Sequence, residues 1–100
     1  MVDEYNTLLK SYREEIDKLD DQIVDLLVQR ENVIREVSNV KHDHNVPAVL
    51  QKRVDEVRNR NVQRAQNAGM DGKYIEEIYT HIIKTSCDLE NQIFNEKKKS

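Results

Sequence analysis

Arg30 and Lys41 stand eleven residues apart in the stretch QRENVIREVSNVK. On an α-helix that spacing brings the second side chain to within about 20° of the first, three turns along. The two cations then share a face with Ile23, Leu27, Val33 or Ile34, and Val37. Permanent charges on an apolar stripe are costly to bury unless an anion meets them. One reading is that both side chains snorkel, packing their stems and sending their heads to water. The other is that they hold an anionic ligand, with Arg53 as a third cation. Ser86 and Glu90, four apart, interrupt a second apolar stripe made by Ile75, Ile78 or Tyr79, and Ile82 or Ile83. That pair marks either a helix end meeting solvent or the far wall of a polar cavity. Three cations, one hydroxyl and one carboxyl suit a small dianion. Arginine's planar fork also matches both oxygens of a carboxylate. Arg13, seventeen residues before Arg30, lies about 100° around the helix and about 25 Å away. It is too far to reach the same small ligand from one chain, but a partner chain can supply it.

These residues need long helices to carry them. Apolar positions from Tyr5 through Leu8, Leu9, Tyr12, Ile16, Leu19, Ile23, Leu26, Leu27, Val33, Ile34, Val37 and Val40 advance by threes and fours. No Gly or Pro occurs before Pro47. The pattern predicts one helix over residues 5–42, ended by the polar loop HDHN and Pro47. A second helix is expected over 48–67, with Val49, Leu50, Val54, Val57, Val62 and Ala65 inward and Gly69 as its stop. Asp71 can cap a third, carried to residue 95 by Tyr74, Ile75, Ile78, Tyr79, Ile82, Ile83, Leu89, Ile93 and Phe94. The fold class is all-α, with three helices in a single domain, 1–100. A first helix of that length spans roughly 57 Å, against a radius of gyration of about 13 Å for a compact chain of this size. Its apolar stripe therefore calls for a partner, most simply a second copy in an intertwined helical homodimer.

Composition narrows the function classes. Only 37% of the 100 residues are hydrophobic, 35% are charged, and the net charge is -3. A nucleic-acid partner would need a basic face, and the two signs are interspersed instead. Lys97, Lys98 and Lys99 read as a frayed, solvated end. No stretch approaches the roughly 20 apolar residues of a membrane span. The start, MVDEYNTLLK, lacks the layout of a signal peptide. The lone Cys87 excludes an internal disulfide, reads as a small helix-face residue, and fits a reducing compartment. The expected setting is the cytoplasm, without nucleic acid or membrane as partner. His42 and His44 read as a solvated loop pair lacking further metal ligands, and His81 as a boundary residue.

The stretch YREEIDKLDDQIVDLLVQRENVIREVSNVK, residues 12–41, resembles the opening helix of the all-helical chorismate mutase family throughout. The stretch MDGKYIEEIYTHIIKTSCDLENQ, residues 70–92, resembles its closing helix. The resemblance implies an intertwined homodimer of three-helix chains. It also implies rearrangement of chorismate to prephenate, without metal, cofactor or covalent intermediate, within aromatic amino acid biosynthesis. In that family's pattern, Arg30 and Arg13 of the partner chain hold the two substrate carboxylates. Lys41 donates to the ether oxygen, Arg53 supports a carboxylate, Ser86 lines the pocket, and Glu90 stands where a side chain donates a second hydrogen bond to the ether oxygen.

Three positions depart from the pattern. Many relatives carry Gln at the place of Glu90, and an ionised Glu only accepts hydrogen bonds. Glu90 must be protonated to donate, and Lys41 nearby opposes that. Val54 replaces a Glu that binds the ring hydroxyl, and Leu50 replaces an acidic residue. The same fold hosts isochorismate pyruvate lyases and 4-amino-4-deoxychorismate mutases, so these are the sibling expectations. A non-catalytic helical dimerisation or regulatory module is the alternative from another class. It predicts no saturable binding of a dicarboxylate, and it leaves Arg30, Lys41, Ser86 and Glu90 without a role.

Overall fold

The computed structural model describes the backbone of residues 2–99 and the side chains of residues 4–98. All three elements are helices: α1 (Val2–Asp43), α2 (Gln51–Asn67) and α3 (Gly72–Lys99). The chain divides into two units, Met1–Asn32 and Val33–Ser100.

In the first unit, α1 runs without a break, as expected where no Gly or Pro interrupts the pattern. Most of its apolar side chains are exposed, among them Leu8 at 73% and Leu26 at 62%, and Leu9 is half-buried.

The second unit holds the end of α1, then α2 and α3, with α2 packed along α3. Two helix ends in it use the same device. The Val46 N–H donates to the Lys41 carbonyl (2.8 Å) and the Asn45 N–H to the His42 carbonyl (3.3 Å). This is the Schellman closure, and it needs a left-handed residue at its hinge. Asn45 supplies it at φ 58°, a conformation that Asn tolerates. At the end of α2 the Met70 N–H donates to Ala65 (2.9 Å) and the Gly69 N–H to Gln66 (3.0 Å), with Gly69 at φ 88°. Gly69 therefore ends α2 as its sequence position predicts. Asp71 caps α3, its Oδ1 accepting the Lys73 N–H at 3.0 Å.

Six expectations need correction. The second helix begins at Gln51, not at residue 48, because Leu50 is in extended backbone and serves as the N-cap. Leu50 sits before α2 in extended backbone and is exposed. The third helix continues to Lys99, since no Gly or Pro stops it and Gln92 bonds Glu96 across one turn. Lys97 is thereby helical and half-buried, not frayed. Tyr74 and Ile78 are exposed, while Ile83 is the buried member of the α3 stripe and Ile75, Tyr79, Ile82, Leu89, Ile93 and Phe94 are half-buried. His42 belongs to α1, not to the loop, and meets the Phe94 ring edge to face at 5.3 Å. On the solvated face of α3, the hydrogen bond from Lys84 to Asp88 holds the lysine above its usual range.

A Cβ at Gly69 meets nothing within 4 Å, so a substitution there tests the backbone alone. Gly69→Ala is expected to cost about 1 kcal/mol of stability, and Gly69→Asn less, in urea unfolding at fixed protein concentration.

Candidate active site

The interior of the second unit is polar where an apolar core would be expected. Its buried side chains are Ala48 and Ile83 together with Ser38, Ser86 and Glu90. The last three come from α1 and α3, and the bonds among their neighbours define the site. Lys41, in the last turns of α1, donates from Nζ to Glu90 Oε1 at 2.8 Å and to the Ala48 carbonyl at 3.0 Å. Ser38, one turn earlier, has its Oγ 2.8 Å from the Ile34 carbonyl and 3.4 Å from Glu90 Oε1. Ser86, one turn before Glu90, donates to the Ile82 carbonyl at 3.0 Å. Among the described residues no buried side-chain nitrogen or oxygen lacks a partner.

Each position follows from local structure. The Schellman turn after α1 swings the chain back so that the Ala48 carbonyl comes under the Lys41 ammonium. Ser86 and Glu90, four apart on α3, point the same way as buried Ile83. The expected polar interruption of the α3 stripe is therefore an inner wall, not a helix end meeting solvent: α3 runs nine residues past Glu90.

The ion pair is nearly closed off, with side-chain exposures of 18% for Lys41 and 8% for Glu90. Desolvating such a pair is costly, and the cost is offset only when good geometry and additional hydrogen bonds complete it. Here Ala48 and Ser38 supply those bonds. An ammonium has three N–H donors; two are committed to Ala48 and Glu90, and one remains for a ligand. Glu90 has one oxygen bonded and one, Oε2, to which no hydrogen bond runs among the described residues. Lys41 thus has one N–H, and Glu90 one oxygen, beyond the bonds that join them to each other, Ala48 and Ser38.

The other residues singled out from the sequence are placed less uniformly. Arg53 is exposed, and its Nη1 is paired with Glu56 Oε2 at 3.7 Å, away from Glu90. Val54 is half-buried and Leu50 exposed at the start of α2. Within the first unit, Arg13 donates to Asn6 Oδ1 at 3.2 Å on the exposed surface, and Arg30 is half-buried. Sequence reasoning missed Ser38 and the Ala48 carbonyl. Ser38 had one available signal, its position one turn before Lys41 beside the apolar stripe; a backbone carbonyl has none.

The family model for chorismate mutase type II matches residues 12–91, which includes Arg13, Lys41 and Glu90. The T-protein of Haemophilus influenzae is 31% identical over 84 residues, covering 84% of this chain and 22% of that protein. The chain thus spans about a fifth of that relative's length. The 4-amino-4-deoxychorismate mutase of Streptomyces venezuelae is 28% identical over 87 residues, covering 87% of this chain and 84% of that protein.

Removing Lys41 leaves Glu90 buried and unpaired. Lys41→Met is expected to destabilise the fold by about 3 kcal/mol at neutral pH. Adding Glu90→Gln should recover most of that loss in the same denaturation assay.

Proposed function

The chain belongs to the chorismate mutase type II family, and on that premise we propose that it rearranges chorismate to prephenate. The observation that carries the reading is the buried 2.8 Å contact between Lys41 Nζ and Glu90 Oε1, made across 49 positions of sequence. The reaction is unimolecular, so a site accelerates it by holding the reactive conformer and placing donors where charge builds. Lys41 directs its third N–H at the ether oxygen as the C–O bond breaks. Glu90, when protonated, donates to the same oxygen through Oε2; when ionised it only accepts.

Arg30 holds one carboxylate of the substrate, and Arg13 of a second copy holds the other. The exposed stripe of Leu8, Tyr12, Ile16, Leu19 and Ile23 supports a homodimer that supplies it. Arg53 supports a carboxylate after leaving Glu56. That exposed pair is worth only about 0–1 kcal/mol, so little holds it back. Ser86 lines the pocket wall. Leu50 and Val54 bring apolar surface to the place where the substrate ring carries its hydroxyl.

A second reading has observations of its own. Leu50 and Val54 offer a ring substituent no side-chain hydrogen bond, and one relative that this chain nearly spans is named for the 4-amino substrate. Product analysis with chorismate, isochorismate and 4-amino-4-deoxychorismate side by side separates the readings. Prephenate from chorismate is the expected result. Turnover of the amino substrate alone assigns the second reading. No turnover and no saturable binding of a dicarboxylate analogue would return the chain to the class of helical dimerisation modules.

Two further outcomes are expected. With chorismate, Glu90→Gln, whose neutral amide donates at any pH, is expected to retain or raise kcat/KM, and Glu90→Ala to lower it. A Glu90→Ala variant as active as the native chain removes Glu90 as a donor. Lys41→Ala and Arg30→Ala each lose about 3–4 kcal/mol of transition-state stabilisation in kcat/KM.

A further inference from the structure

Ser38 is completely occluded, with 0% exposure, and has no part in the reaction proposed above. Its hydroxyl carries one hydrogen and has two acceptors within reach. The shorter contact, 2.8 Å to the Ile34 carbonyl, is the stronger bond, and it fixes the side chain against its own helix. The same O–H also reaches Glu90 Oε1 at 3.4 Å, the longer arm of a bond shared between two acceptors.

Lys41 holds the same oxygen at 2.8 Å. Oε1 is thus fixed by two groups, from α1 on both counts, while Oε2 is fixed by none. An oxygen already accepting from an ammonium is the poorer of the two for a proton, so a protonated Glu90 carries its hydrogen on Oε2. We propose that Ser38 is a positioning residue that acts through Glu90: it seats Oε1 beside Lys41 and leaves Oε2 as the oxygen that meets the ligand. The consequence for rate rests on the chorismate mutase reading; the seating itself does not.

The test is Ser38→Ala in the full chain, with Ser38→Gly as a second variant lacking the hydroxyl should the first misfold. Crystal structures of the variants are expected to show the Glu90 carboxyl turned so that both oxygens share Lys41. With chorismate, kcat is expected to fall roughly tenfold, with KM within about twofold of the native value. In a Glu90→Ala background the same change at Ser38 should lower kcat no further, because the residue it acts through is gone. A carboxyl that keeps its place without the Ser38 hydroxyl overturns the proposal. So does an equal loss of kcat with and without Glu90, which would make Ser38 a packing residue only. If chorismate is not turned over by the native chain, the reaction reading falls, and the crystal structures still decide the seating.

Discussion

An ammonium and a carboxyl share one oxygen in the interior of residues 33–100, and the packing around them is arranged to make that tolerable. Lys41 and Glu90 are drawn from α1 and α3 and approach to 2.8 Å. Two charges removed from water are stable only if their remaining donors and acceptors are met. The Ala48 carbonyl takes one hydrogen of Lys41, and Ser38 sits against the bonded oxygen of Glu90. With Ala48 and Ile83 as its buried apolar residues, this unit owes much of the docking of α1 on α3 to directional polar contacts.

The turns are part of the same arrangement. A Lys41 hydrogen bond to Ala48 requires the chain to reverse within a few residues of the end of α1. The Schellman closure through Asn45 does so, and Pro47 disfavours helical backbone at Val46, so α1 cannot run on. The late start of α2 at Gln51 leaves Leu50 in extended backbone between the Lys41 anchor and Val54. The apolar end of the proposed pocket is in this way a product of the loop that completes the ion pair.

Charge gives the arrangement its functional character. In the free chain the pair is self-neutralising and leaves one ammonium hydrogen and one carboxyl oxygen uncommitted. A ligand atom that gains negative charge can be met by both groups only if Glu90 carries a proton. Gln in the same place would donate at any pH, so the Glu ties donation to protonation. The exposed pairing of Arg53 with Glu56 is a weak solvated pair that gives way easily.

Residue type marked the stop at Gly69 and the Asp71 cap, and periodicity determined the three helices and the presence of Lys41, Ser86 and Glu90 on faces otherwise apolar. The latter are properties of residues three and four apart, which a helix brings together whatever lies around it. The tertiary structure decided which polar residue is buried and against what. Ser38 reads from its neighbours as one more polar position on a charged helix; it is occluded only because α3 lies on it, and its contact with Glu90 spans 52 positions. The Ala48 carbonyl has no signature in residue type at all, since every residue carries one. Arg53 pairs with Glu56, three residues along on the solvated face of α2, a partner that helical spacing also offered. Helical spacing fixes the face on which a side chain stands, and only packing between distant segments fixes what that face meets.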